Sequence, residues 1–230
     1  MDPEPQVRIS AALSAVADDD VERRLCSACA DLLGLSGAAI VAVTDSGHRA
    51  VLCASNPAAV VIEDVQATLG EGPGVDAHRL GTPVGHADLA TSVGSPWLGF
   101  CAPAVEAGSA AVFSFPLRVG AVRLGAITFN HAVAGRLSDT QYADALTIAG
   151  VVTHAILAIQ AQAPPDMVAR ALAAVADSGA EVHQASGMLA VRLGLNVGEA
   201  MVALRALAYS EERPLAEVAR DVVAHRFAMP

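Results

Sequence analysis

The sequence predicts an α+β domain, with an antiparallel sheet flanked by helices, followed by a smaller all-α unit of three helices. Two pairs of apolar, β-branched runs, each joined by a short turn, indicate hairpins. Helical patterns border these hairpins on both sides. Pro164-Pro165 cannot continue a helix, and every segment after them reads as helix. We therefore expect one domain over residues 1–163 and a second over 164–230.

Local patterns place the elements of the first domain. In chain order they are a helix over 7–34 that ends at Gly34, a hairpin of strands 38–44 and 50–55, a helix over 60–69, a hairpin of strands 111–118 and 121–130, and a helix over 139–163. Residues 70–109 are punctuated by Gly and Pro, which predicts a long loop of the kind that is usually functional or mobile.

The second domain reads as helix throughout. Residues 166–193 form one segment with a possible break at Ser178-Gly179. Asn196 and Glu199 have the spacing of a capping box that begins the next helix. Pro214 suits the first position of the last helix.

Charge excludes several classes of function. All 14 basic residues are arginine, so a Walker A loop, a Schiff-base enzyme and a kinase of the usual kind are excluded. The net charge of −10 excludes binding to nucleic acid or anionic membrane through overall charge. The uncharged stretch 145–165 predicts a buried or dimer-forming helix rather than a membrane span. Four cysteines and an acidic N-terminus without a signal-peptide pattern predict reduced thiols and a cytoplasmic location.

Two resemblances cover nearly the whole chain. Four segments resemble the GAF family: Gly70-Glu71-Gly72-Pro73-Gly74, residues 78–84, Ala87-Asp88-Leu89 and the hairpin from Ala111 to Ile127. The tail resembles the ANTAR family at residues 182–189, Asn196-Val197-Gly198-Glu199-Ala200, Leu204-Arg205, Arg213-Pro214-Leu215 and Val218-Ala219. These resemblances imply a GAF sensor domain followed by a three-helix ANTAR domain that binds RNA in transcription antitermination, an arrangement common in actinobacteria.

The ANTAR resemblance implies an RNA-binding surface of arginines. The candidates are Arg192, Arg205, Arg213, Arg220 and Arg226, with Arg205 and Arg213 as the first choices because they lie inside the motif. Arg205 follows the core position Leu204 by one residue, so we expect it to reach solvent. The alternative is that these arginines pair with neighbouring acidic residues on a solvated surface. Ser186 stands where the family usually has a basic residue, and a lysine there is expected to tighten RNA binding.

The GAF resemblance implies a ligand cleft. Its candidate lining is His78, His86, Trp97, Phe113 and Phe115, which suits a small planar ligand. An empty pocket is the alternative. No pattern identifies a cofactor, and no metal site is predicted.

The function expected from the whole sequence is a signal-responsive antitermination regulator that is not an enzyme. Its expected partners are the hairpin loops of an RNA leader, a small molecule in the GAF cleft and a second copy of the chain. Two alternatives stay open: a dimeric scaffold whose ANTAR unit does not bind RNA, and a GAF-fold thiol reductase that uses Cys53 or Cys101. The C-x-x-C pair of Cys26 and Cys29 is expected to be buried on one helix face.

Overall fold

A five-stranded antiparallel sheet lies at the centre of the N-terminal part, with the strand order β2-β1-β5-β4-β3. The computed structural model describes residues 21–44, 49–91, 95–162 and 181–224. The strands are β1 (Gly37–Val43), β2 (Arg49–Ala54), β3 (Val84–His86), β4 (Ala111–Val119) and β5 (Val122–His131). Both hairpins predicted from the sequence are present, and β1 pairs with β5 to join them.

Helices cover both faces of the sheet. Helix α1 (Val21–Leu33) and helix α5 (Asp139–Gln162) pack on one face, over a core that contains Phe115, Ile127 and Phe129. The other face carries the helices α2 (Pro57–Leu69), α3 (Pro73–Leu80) and α4 (Cys101–Glu106). Alternation along β4 produces this division, because Phe113, Phe115 and Leu117 face the first core and Val112 faces the second.

The C-terminal part is a three-helix unit with its own core. Its helices are α6 (Glu181–Leu193), α7 (Val197–Ser210) and α8 (Leu215–Val223). The buried positions recur at helical spacing: Ala185, Leu189, Ala200, Leu204, Ala208, Leu215, Val218, Ala219 and Val222. The capping box is present, since the Asn196 side chain accepts from the Glu199 amide at 2.9 Å and the Glu199 carboxylate accepts from the Asn196 amide at 3.0 Å.

The segment from 70 to 109 differs from the expected long loop. It contains α3, β3 and α4. Pro73 occupies the start of α3, and Gly81 caps its end with a left-handed φ of 70°. These residues therefore delimit a short helix rather than prevent one. The Pro164-Pro165 boundary, the possible break at Ser178-Gly179 and Arg226 lie outside the described residues.

Helices α7 and α8 pack against α2, so the two parts of the chain are in contact. We call this contact the interdomain seam. Asp64 of α2 lies at the seam with part of its surface exposed, and its pKa is raised by partial burial and then by the negative charge of Glu217 on α8. The seam therefore places two carboxylates near each other.

The positions of the cysteines correct the expectation that all four thiols are reduced. Cys26 of α1 and Cys53 of β2 form a disulfide, with their Cα atoms 6.0 Å apart, so not all four thiols are free. The physical reason is that α1 packs across β1 and β2. Cys29 is buried, as expected for its helix face, and burial raises the pKa of its thiol to about 12. Cys101 lies in the second core, away from Cys53, whereas a thiol reductase would need cysteines that converge.

The helices and the metal-binding side chains of the described residues bear on membrane spans and metal sites. No single helix there is long and apolar enough to span a bilayer, and only α6 and α7 taken together, across a 106° bend, meet the length and composition test. No three residues among the described His, Cys, Asp and Glu are grouped so that they could hold a metal ion.

Candidate functional site

The glycine-rich segment 70–74 is folded around a buried glutamine. The Gln66 side chain accepts a hydrogen bond from the Gly74 amide at 2.6 Å and donates one to Glu63 at 2.9 Å. A Cβ atom at Gly72 would lie 2.7 Å from Gln66, and one at Gly74 would lie 3.0 Å from it. Glycine at both positions therefore allows the start of α3 to approach α2 closely, which fixes α3 over the sheet.

A first cavity of about 520 Å³ lies beside strand β3, and we call it the strand cavity. His86, Phe113 and Phe115 line it, together with Arg136 and Tyr142. The Phe115 ring lies 5.5 Å from the Tyr142 ring, centroid to centroid. This cavity has aromatic walls and a few polar groups, the composition expected for a small planar ligand.

A second cavity of about 620 Å³ lies where α7 meets the sheet domain, and we call it the seam cavity. Its walls come from the ends of β1 and β2, from α3, from the β4–β5 turn and from Arg205 of α7. Its lining carries four arginines and a histidine: Arg49, Arg79, Arg123, Arg205 and His78. Among the described lining residues there is no carboxylate.

Two of these arginines are paired behind the cavity wall. Arg49 reaches Glu63 at 3.2 Å, and Arg79 reaches Asp76 at 2.9 Å. Arg123 is exposed and has no ion pair with any described residue. Counted over the described residues, the seam cavity therefore keeps a positive charge after pairing with Glu63 and Asp76.

The other two groups have buried nitrogens without partners among the described residues. These are Nε of Arg205 and Nδ1 of His78. Burial lowers the pKa of Arg205, and the like charge of Arg49 lowers it further. Burial also lowers the pKa of His78, against a hydrogen bond with the Gly125 backbone that raises it. Both groups thus lie where burial disfavours the charged form and no described side chain compensates for it.

The five expected cleft residues do not line one pocket. His78 faces the seam cavity, and His86, Phe113 and Phe115 line the strand cavity. Trp97 lines neither cavity, because its ring is buried in the second core and its Nε1 donates to Asp76 at 2.9 Å.

The four described arginines of the expected RNA surface have different environments. Arg213 contacts three carboxylates, Asp221 at 2.7 Å, Glu211 at 3.2 Å and Glu217 at 3.7 Å, and the hydrogen bond with Asp221 is the main cause that raises its pKa. Arg220 pairs with Glu181 at 3.2 Å.

Arg205 and Arg192 differ most from each other. Arg205 is less exposed than its position on the helix alone suggests, since it is half-buried at the seam and its guanidinium lies beside Gly70. Arg192 is exposed on α6 and makes no ion pair with a described residue.

The position of Ser186 bears on the expectation that a lysine there would contact RNA. Its side chain is fully buried, and its hydroxyl donates to the His183 carbonyl at 2.8 Å. A lysine at this position would place an ammonium group in the three-helix core instead of on a phosphate-binding surface.

Sequence reasoning missed three residues of the seam cavity. Arg49 and Arg123 follow strand turns and carry no local signal of a shared site. Gly70 was identified only as part of a family motif, although a Cβ there would lie 2.6 Å from the Arg205 guanidinium. The contact joins residues that are distant in the sequence, so no spacing rule could reveal it.

Comparisons with known proteins agree with this architecture. The ANTAR domain family model matches residues 170–223. The GAF domain of an Acinetobacter phosphoenolpyruvate-protein phosphotransferase is similar in structure, with a TM-score of 0.52 and 13% identity over 70% of this chain and 98% of that one. The corresponding GAF domain from Coxiella burnetii has a TM-score of 0.50 and 14% identity over 69% of this chain and 96% of that one. No curated protein matches the sequence significantly.

At these identities the structural likeness establishes the fold of the N-terminal part and nothing finer. The family match establishes the C-terminal unit, whose described helices share one core. The chain therefore carries an ANTAR domain at residues 170–223 behind an N-terminal domain with the GAF fold.

Proposed function

We propose that the chain is a cytoplasmic, signal-responsive antitermination regulator whose GAF domain senses a small molecule and whose ANTAR domain binds the hairpin loops of an RNA leader. The ANTAR match over residues 170–223 carries this proposal. It is supported by the core that the three described helices share, which buries Ala185, Leu189, Ala200 and Leu204 of the motif segments.

The RNA contact must be local, because the C-terminal part is acidic. Residues 166–230 contain six arginines and eight acidic residues, a net charge of 6 − 8 = −2. Arg192 is the best-placed described cation, since it is exposed and free of ion pairs with described residues. Tyr209 is 65% exposed on α7 and offers a ring on which an unpaired base can stack.

Crosslinking in the native host tests this function. The tagged full chain is crosslinked to RNA with ultraviolet light, and the bound RNA is sequenced for wild type and for Arg192→Glu. We expect wild type to enrich leader hairpins that precede terminators, and Arg192→Glu to reduce that enrichment, because a charge reversal repels phosphate. Arg24→Glu, an equal reversal at an exposed position of α1, is the control and should leave enrichment unchanged.

The scaffold is a second candidate, because the cations of the ANTAR unit are largely engaged. Arg213 and Arg220 are paired with carboxylates, and Arg205 lies at the seam. If wild type enriches no RNA above an untagged strain, the scaffold replaces the regulator.

Both candidate functions, the regulator and the scaffold, include a homodimer of this chain. Tyr142 and Leu146 of α5 are 44% and 46% exposed and lie four residues apart, on one side of the helix. We expect light scattering at micromolar concentration to give the mass of two chains, and a monomer would contradict this part of the proposal.

The strand cavity is the proposed sensor site for a planar ligand. His86 and Phe113 can contact such a ligand without loss of the core, because neither is fully buried.

A further inference from the structure

We propose that the seam cavity binds a small molecule with a phosphate or pyrophosphate group, held between Arg49 and Arg123 of the GAF domain and Arg205 of the ANTAR domain. The inference does not depend on RNA binding, because the site and its test involve the protein alone.

Charge is the first argument. Four guanidinium groups line one cavity, and among the described lining residues none is acidic. Glu63 and Asp76 neutralise Arg49 and Arg79 from behind the wall, which leaves the charges of Arg123 and Arg205 without a described counterion. A planar guanidinium with several N–H donors matches phosphate oxygens better than any other side chain.

Buried nitrogens without partners are the second argument. Nε of Arg205 and Nδ1 of His78 are buried and have no partner among the described residues, although buried polar atoms are normally hydrogen-bonded. Both residues line the same cavity. An anion in that cavity would accept from Arg205 and would also offset the repulsion between Arg205 and Arg49.

Shape is the third argument. The cavity of about 620 Å³ falls within the range of small-molecule sites. Val43, Val75 and Val122 add apolar wall next to the arginines, so the site can hold an organic group as well as the anion. Gly70 provides the space that the Arg205 guanidinium occupies, since a Cβ there would lie 2.6 Å from it.

The site has a consequence for the two domains. Among the described lining residues, Arg205 alone comes from the ANTAR domain, so its contribution to the site requires that α7 contacts the GAF domain. A ligand that binds this arrangement stabilises it by mass action. The same ligand keeps Arg205 away from RNA.

Calorimetric titration of the RNA-free full chain with sodium pyrophosphate, at constant ionic strength, tests the proposal. Two charge-assisted contacts are sufficient for saturable binding with a Kd of about 1 mM or below. We expect Arg205→Gln and, separately, Arg123→Gln to weaken binding by about tenfold or more. Arg24→Gln removes the same charge from exposed α1 and should bind like wild type.

Three results would overturn the proposal. The first is that wild type shows no saturable binding up to about ten times the expected Kd, about 10 mM. The second is that both cavity variants bind pyrophosphate as well as wild type does. The third is that Arg24→Gln loses as much affinity as the cavity variants. Arg123 is exposed on the β4–β5 hairpin, so its variant keeps the test decisive if Arg205→Gln does not fold. Sodium sulfate at the same concentration shows whether the site prefers the phosphoanhydride or accepts any divalent anion, and both of these results support an anion site.

Discussion

The two cavities of this molecule are similar in volume and opposite in construction. The strand cavity is walled by aromatic side chains of the GAF domain, and one of them, Phe115, is only 1% exposed. The seam cavity is walled by charged side chains near the surface, and Arg205 reaches it from the other domain. A ligand in the first alters the packing of one domain, whereas a ligand in the second bridges two. Lining residues should therefore affect stability at the first cavity and interdomain coupling at the second.

The largest difference is expected at Phe115. Phe115→Ala removes a ring that packs edge-on against Phe129 at 6.0 Å, and it should lower the free energy of unfolding by about 3–5 kcal/mol. Val122→Ala, at a residue of the seam cavity that is 60% exposed, should change it by less than about 0.5 kcal/mol. Urea unfolding followed by circular dichroism measures both. Equal losses would show that the two cavities are not built differently.

The sequence predicted the parts of both cavities that depend on local pattern. Alternation along a strand is enough to put Phe113 and Phe115 on one face of β4, and the expected core position of Leu204 is buried in the structure. The sequence could not place Arg205, because the expectation of solvent exposure considers α7 alone and omits α2 packed against it. The disulfide was missed for a similar reason, since the spacing draws attention to Cys26 and Cys29, whereas the fold brings Cys26 of α1 next to Cys53 of β2.

Adjacent residues of α7 give the next largest contrast. Leu204 is fully buried, and Leu204→Ala should lower the free energy of unfolding by about 2–5 kcal/mol. Arg205→Gln should change it by less than about 1 kcal/mol, because the Nε of Arg205 has no described partner and Arg49 repels its charge. Thermal unfolding of both variants provides the comparison. A loss at Arg205 as large as that at Leu204 would mean that the seam is held by Arg205 itself.

Gly70→Ala tests the seam with an intermediate effect. Gly70 caps α2 with a φ of 69°, so alanine should cost about 1–2 kcal/mol of stability. Gly34→Ala is the matched control, since Gly34 has a φ of 63° at the end of α1 and nothing within 4 Å of its Cβ position. Only Gly70→Ala should also weaken pyrophosphate binding, because its methyl group displaces the Arg205 guanidinium. Equal pyrophosphate binding by the two variants would contradict the position assigned to Arg205.

The smallest effect concerns pH at the seam. The pKa of Asp64 is raised by burial and by Glu217, so the folded chain favours the protonated carboxyl. Its contribution to stability is present below the ordinary Asp pKa, near 3.9, and is lost as pH rises through the raised value. Asp64→Asn removes this titration, so that position 64 is uncharged at every pH. It should therefore match wild type below about pH 4 and exceed its stability by a few tenths of a kcal/mol at pH 7. Thermal midpoints measured from pH 4 to 7 follow this difference, with Asp31→Asn on exposed α1 as the control. If the thermal midpoints of Asp64→Asn and wild type differ by the same amount at every pH in that range, the difference comes from packing. The two carboxylates would then not repel each other across the seam.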